Sequence, residues 1–333
     1  MKNQISTLLK QMGYERVYPN PFAPYKLFLD NKDFLHSDEA ITFGSGDGVY
    51  AFLPDVTLGL AAAQPKEKLA APKRVYYHEK VYRLSDGVAK GLDQLGAEIF
   101  GEIDNFLRLE MCYIAAKALE CNSQQSILIL SHTGYGSSLA KATGLSEQVQ
   151  SRILSLAADK NRHDLELLLE DESGEIIEKL KELPAIEGVA DVALVKARQG
   201  YLSDEMDAAV DELAELVSGL RNAGVRNKIY IDFSMSGNLD YYDGIVFSGI
   251  IPDVAGTVMS GGSYKNLLNR LGSENGGLGF ALRLDLLRKP TEQSIMPQIF
   301  TYADATYKED FRQIATSIPS LGDARVIRTE KKI

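Results

Sequence analysis

Gly237-Asn-Leu-Asp-Tyr-Tyr-Asp-Gly-Ile-Val-Phe247, read together with Gln94-Leu-Gly-Ala-Glu-Ile-Phe-Gly101, decides how this chain folds. The first stretch ends in strand-forming residues and predicts a strand over 241–249, with another over 228–233. Before them, residues 145–223 read almost wholly as helix, with acidic faces at 166–172 and 204–215, and stand as a helical insertion. After them come the glycines Gly261, Gly262, Gly276 and Gly277, then a helix expected from about 279 to 287. Strand, helical insertion, strand, helix is the order of an α+β domain built on a mostly antiparallel sheet.

Upstream, residues 3–12 form a short amphipathic helix closed by Gly13, and the proline-rich run from Pro19 to Pro24 must be extended. Strands are expected at 49–53, entering Pro54, and at 75–82, which is rich in β-branched and aromatic residues. Ile103, Phe106, Leu107, Met111 and Ile114 recur at helical spacing and predict a helix over 102–120. A short buried strand at 126–130 leads into a turn at Gly134-Tyr135-Gly136 and a further helix.

Composition narrows the function classes. At 333 residues, 45% hydrophobic and 25% charged, the chain can bury a substantial core. Its formal net charge of -10 argues against a broad phosphate-binding surface and so against nucleic acid as a partner. Cys112 and Cys121 are too far apart for a CxxC pair, which points to helix packing and free thiols in a reducing cytoplasm. No stretch reaches the roughly 20 apolar residues of a spanning helix, so a cytoplasmic protein without a membrane segment is expected. There is no GxxxxGK[ST] loop, and the four histidines, His36, His78, His132 and His163, show no metal-ligand spacing, so no cofactor and no metal are expected.

Taken in order, these segments resemble the histidyl-tRNA synthetases, from about residue 5 to 288. Gly13-Tyr14 and a strand over 17–21 resemble the family's first signature, with the proline displaced. Leu53-Pro54-Asp55-Val56-Thr57 resembles the strand whose acid and hydroxyl hold the α-ammonium of histidine, which implies that role for Asp55 and Thr57. Tyr82-Arg83, a loop, then Gln94 and Glu98 resemble the second class II signature, two antiparallel strands joined over the active site. Leu239-Asp240-Tyr241-Tyr242 resembles the histidine-specific motif whose tyrosines close over the imidazole, and Gly261-Gly262-Ser263-Tyr264 and Gly279-Phe280-Ala281-Leu282 match the downstream glycine strand and the third signature. The implied fold is a class II aminoacyl-tRNA synthetase-like antiparallel sheet flanked by helices. The implied histidine-binding residues are Asp55, Thr57, Arg83, Gln94, Glu98, Tyr241 and Tyr242. A buried imidazole needs a partner for each ring nitrogen, and Glu98 with the hydroxyl of Tyr241 or Tyr242 supplies acceptor and donor. Asp55 and Gln94 suit the ammonium, Arg83 the carboxylate.

The departures concern the chemistry of ATP. Amino-acid activation needs cations on the phosphates and a platform for adenine. The arginine of the histidine motif is Gly237 here, the acid and aromatic of the second signature fall at Gly91 and Leu92, and Leu286 stands where the adenine-stacking arginine belongs. Arg283 and Arg288 are near enough that a shifted register restores one of them.

Residues 1–290 are expected to form the synthetase-like core, and 291–333 a short C-terminal α/β segment, too small for an anticodon-binding domain. Strands at 298–302 and 325–328 and a helix at 310–317 are expected in it. This pattern resembles the ATP phosphoribosyltransferase regulatory subunits, synthetase paralogues without synthetase chemistry. The resemblance implies a homodimer assembled with a short-form ATP phosphoribosyltransferase catalytic subunit in histidine biosynthesis, with histidine as feedback ligand and no tRNA partner. An active amino-acid-activating enzyme of the histidyl-tRNA synthetase type is the competing expectation.

Overall fold

A computed structural model describes residues 2–31, 40–46, 48–85, 87–235 and 242–287, and the backbone of 300–302 and 326–328. The chain opens with α1 (Lys2–Gln11), β1 (Glu15–Arg16), β2 (Phe22–Pro24), α2 (Tyr25–Leu29), β3 (Thr42–Ser45), β4 (Gly48–Phe52) and α3 (Val56–Ala62). The long hairpin β5 (Lys73–Ser85) and β6 (Val88–Gly101) leads into α4 (Asn105–Glu120), β7 (Ile127–His132) and α5 (Thr133–Lys141). Then come α6 (Glu147–Ala158), α7 (Arg162–Leu168), α8 (Glu175–Glu182), β8 (Glu187–Val189), α9 (Ala190–Ala197) and α10 (Asp204–Asn222). The remainder is β9 (Lys228–Asp232), β10 (Ile245–Ile250), β11 (Met259–Ser263), α11 (Lys265–Arg270), β12 (Gly276–Arg283), β13 (Phe300–Tyr302) and β14 (Val326–Arg328).

Among the described residues, nine strands form one sheet in the order β1-β5-β6-β12-β11-β10-β7-β9-β8. The β1·β5 and β7·β9 pairings are parallel and the rest antiparallel, as the strand pattern predicts. Alternation along the strands gives the sheet two different faces. Leu95, Ala97 and Ile99 of β6 and Leu278, Phe280 and Leu282 of β12 pack into the main core with α4. That helix is buried almost all round, with Glu110 and Lys117 among its enclosed residues, and Asp104 caps it by accepting the Leu107 N–H at 2.9 Å. Cys112 and Cys121 are buried free thiols, and burial pushes the Cys121 thiol up to about 12. On the opposite face, Val75, Tyr77 and Val81 of β5, Phe100 of β6 and Tyr264 form a smaller core with Leu53, Val56 and Leu58.

The α1–β1 unit is fastened by a buried polar cluster. Arg74 donates to both oxygens of Glu110, at 2.8 and 2.9 Å, and the Tyr14 hydroxyl donates to Glu110 Oε1 at 3.0 Å. Burial, then the Glu110 charge, drives the Tyr14 pKa upward.

The structure corrects several expectations. Residues 276–283 are strand β12 and 284–286 a 3-10 turn, where a helix over 279–287 was expected. Gly277 and Gly279 lie flat beneath Tyr264 and Glu98, which a helix would not permit, and Leu278, Phe280 and Leu282 alternate into the core. The Gly134-Tyr135-Gly136 stretch is the first turn of α5, because His132 Nδ1 accepts the Gly134 N–H at 3.1 Å and starts the helix there. The insertion is almost wholly helical as expected, and its one short strand, β8, pairs with β9 and ends the sheet. The first strand comprises Glu15–Arg16 only, two residues before the expected 17–21. The short strands β13 and β14 pair in parallel, whereas the helix expected at 310–317 lies outside the described residues.

Candidate functional site

Glu98 sits three residues before the end of β6 with no exposed surface. Two hydroxyls meet its carboxyl: Thr57 Oγ1 donates to Oε1 at 2.6 Å and Tyr264 Oη donates to Oε2 at 2.5 Å. Burial pushes its pKa up to about 8; the two hydrogen bonds oppose that shift and the nearby Asp55 charge adds to it. At neutral pH this carboxyl therefore holds its proton most of the time.

Three elements converge to build the site. Thr57 lies in the first turn of α3, which starts where it does because Asp55 Oδ1 accepts the Leu58 N–H at 2.7 Å. Tyr264 follows β11, and its ring lies against Gly277. Glu98 is opposite Gly279 on β12, which is in turn opposite Gly262 on β11. These glycines make a floor without side chains. A Cβ at Gly279 would overlap Glu98 Oε2, and one at Gly262 would come within 2.8 Å of the Tyr242 ring. Tyr77, opposite Gly96, has a fully buried hydroxyl that comes near Thr57 without a well-formed hydrogen bond.

Of the residues expected to bind histidine, the structure brings Asp55, Thr57 and Glu98 together, with the Tyr242 ring on the same glycine floor. Arg83 is adjacent: its Nε donates to the Pro54 carbonyl at 2.9 Å and its Nη2 stands 3.9 Å from Asp55 Oδ2. Gln94 is on the same face but four residues along β6, about 13 Å from Glu98 between α-carbons. Tyr241 and Gly237 lie outside the described residues. Two residues were missed as site residues, Tyr264 and Tyr77, although strand alternation over 73–85 puts Tyr77 on the Glu98 face.

The ATP side of the face is also defined in part. Leu286 packs against the main core, while Arg283 stands opposite Gln94 on the Glu98 face, tied to Asp285 at 2.7 Å. Arg288 lies outside the described residues. Among the described residues, no group of three His, Cys, Asp or Glu side chains could hold a metal ion. His78 bonds Asp93 at 2.8 Å, and His132 caps α5. Among the same residues no helix is long and apolar enough to cross a membrane.

The family Histidyl-tRNA synthetase matches residues 1–287. The chain belongs to the histidyl-tRNA synthetase family. Within that family, it is 24% identical over 297 residues to the ATP phosphoribosyltransferase regulatory subunit of Bacillus thuringiensis (strain Al Hakam), covering 86% of this chain and 70% of the relative. It is 26% identical over 290 residues to the protein of that name from Alkaliphilus metalliredigens (strain QYMF), covering 84% and 73%. Among solved structures, an ATP phosphoribosyltransferase regulatory subunit/histidyl-tRNA synthetase from Bacillus halodurans matches with a TM-score of 0.77 and 23% identity, covering 86% of this chain and 76% of the other. Histidyl-tRNA synthetase from Nostoc sp. PCC 7120 matches with a TM-score of 0.71 and 18% identity, covering 100% and 82%. An ATP phosphoribosyl transferase complex from Thermotoga maritima matches with a TM-score of 0.67 and 17% identity, covering 85% and 96%. The fold is therefore the class II aminoacyl-tRNA synthetase-like fold, a large sheet flanked by helices.

Proposed function

We propose that this member of the family is a non-catalytic regulatory subunit of a short-form ATP phosphoribosyltransferase, acting at the first step of histidine biosynthesis and sensing histidine. The observation that carries the reading is the buried Glu98 carboxyl, met by two hydroxyls above a floor of glycines and beside the rings of Tyr77 and Tyr242. Such a group reads a flat ring with polar nitrogens. Protonated, it donates to a bare ring nitrogen; ionised, it accepts from an N–H. Asp55 has one oxygen committed to the Leu58 N–H, which leaves Oδ2 for an ammonium, and Arg83 beside it suits a carboxylate. Charge-assisted bonds contribute about 1.5–3 kcal/mol each, enough together for micromolar affinity.

The names of the relatives support the transferase as partner. The sequence departures at Gly237, Leu92 and Leu286 support the loss of amino-acid activation, since each removes a group that ATP chemistry uses. The working assembly is a homodimer within a cytoplasmic hetero-oligomer that binds no tRNA. Histidine shifts it toward a less active transferase, and a coupling of about 1–3 kcal/mol gives a 5- to 150-fold effect.

The experiment combines calorimetry with L-histidine and co-purification with a short-form transferase. Saturable heat that falls sharply in Glu98→Ala, together with a stable complex, is the expected result; absence of both removes the proposal. A second reading, amino-acid activation, is favoured by one observation, the presence of Arg83 and Arg283 on the Glu98 face. Histidine-dependent exchange of pyrophosphate into ATP would establish it and exclude the regulatory-only role.

A further inference from the structure

Toward the Gly101 end of β6 lies a cavity of about 360 Å³, outside the Glu98 cluster. Ser263, Asp243, Lys265, Arg108 and Glu274 line it around Gly276 at the start of β12. Ser263 is only 5% exposed, and its hydroxyl has no hydrogen-bond partner among the described residues. A buried hydroxyl left unpaired costs about 1–3 kcal/mol, so one that lines a cavity of ligand size is a group awaiting a partner.

The charges around it have both signs. Asp243 is partly buried; burial raises its pKa, against the opposing pull of the Asn266 N–H at 2.6 Å and the Lys265 charge. Arg108 stands 3.2 Å from Glu212 without an aligned hydrogen bond; it and Lys265 line the cavity as cations and the anions Asp243 and Glu274 line it beside them, with Asp243 close enough to feel both cations. The exposed Lys68–Glu102 pair, at 2.8 Å, neutralises itself. A ligand with a single charge would leave the groups of its own sign facing it, whereas one carrying both charges meets each set.

We propose that this cavity is a second ligand site, taking a small zwitterion whose acid group meets Ser263, Lys265 and Arg108 and whose ammonium meets Asp243 and Glu274. Tyr264 separates it from the first site. Its ring covers Gly277, its hydroxyl reaches Glu98, and its two chain neighbours, Ser263 and Lys265, face the cavity.

The test is titration calorimetry of the full chain with glycine and γ-aminobutyrate, with acetate and methylammonium as carriers of one charge each. At least one zwitterion binds saturably and neither single-charge ion does. Ser263→Ala and the exposed Lys265→Gln each weaken that binding by about three- to tenfold, while Glu98→Gln leaves it intact. No saturable binding of either zwitterion, or equal binding of acetate or methylammonium, overturns the proposal. So does a zwitterion that is lost in Glu98→Gln but indifferent to Ser263→Ala and Lys265→Gln, since it then occupies the Glu98 site. Because the readout uses no histidine, it stands or falls separately from histidine sensing.

Discussion

Glu98 and Gly279 stand opposite each other on β6 and β12, and the carboxyl occupies the space that a Cβ on Gly279 would fill. A methyl group there also comes within 2.6 Å of the Ala97 carbonyl oxygen, which belongs to a central strand and cannot retreat. Gly279→Ala should therefore cost at least the ~1–3 kcal/mol of an overpacked core and push Glu98 away from Tyr264. Gly44→Ala, with nothing within 4 Å of the new methyl, should stay within about 0.5 kcal/mol of wild type. Urea denaturation of both variants checks the contrast, and equal effects would show that the Glu98–Gly279 fit is loose.

The raised pKa of Glu98 makes stability depend on pH in a definite direction. Its folded value of about 8 exceeds the ordinary 4.5, chiefly through burial, so the fold favours the protonated acid. Its contribution is fully present below about pH 4.5 and is lost as pH rises through about 8. Glu98→Gln keeps the shape but does not titrate. The stability of Glu98→Gln relative to wild type should rise between pH 5 and pH 9, by about 4 kcal/mol at one pKa unit per 1.36 kcal/mol. A difference that stays flat across that interval would mean that Glu98 ionises freely in the fold.

The sequence exposed this site unevenly, for physical reasons. Thr57 and Glu98 were legible because the segments around them occur in a specific order, and the β5–β6 hairpin and α4 carry strong periodic patterns. The strand β12 was not, since glycine, leucine and alanine carry little strand preference, and what flattens it is Glu98 and Tyr264 pressing on its glycines. The start of α5 was hidden because histidine is not among the usual capping residues and the two glycines read as a turn. Strand β8 has three residues and exists through its pairing with β9, a contact that no local pattern announces.

The two buried tyrosines of the site should respond oppositely to loss of the hydroxyl. Tyr264 Oη serves Glu98 Oε2 and opposes the upward shift of that acid, so Tyr264→Phe strands a buried oxygen and raises the Glu98 pKa further. A cost of about 1–3 kcal/mol is expected. Tyr77 Oη is fully buried without a well-formed partner, and Tyr77→Phe should be neutral or slightly stabilising. Equilibrium denaturation of the pair decides it; a larger loss for Tyr77→Phe would move the organising hydroxyl from Tyr264 to Tyr77.

Away from the site, Glu110 holds the α1–β1 unit to the sheet through Arg74 and Tyr14. Its side chain is 1% exposed and that of Arg74 17%, so removing the carboxylate strands a cation with little access to water. Glu110→Ala should cost about 3–5 kcal/mol, the usual loss when one member of a buried pair is removed. The double change Glu110→Leu with Arg74→Met removes both charges and leaves only the Tyr14 hydroxyl to find a new partner, so it should recover most of that loss. Hydrogen exchange at the β1–β5 pairing, where the Val17 N–H bonds the Tyr76 carbonyl at 2.9 Å, reports the same event locally. Faster exchange there in Glu110→Ala, reversed in the double variant, is expected. Unchanged exchange would show that apolar packing of Ile5, Leu8 and Leu9 alone secures this unit.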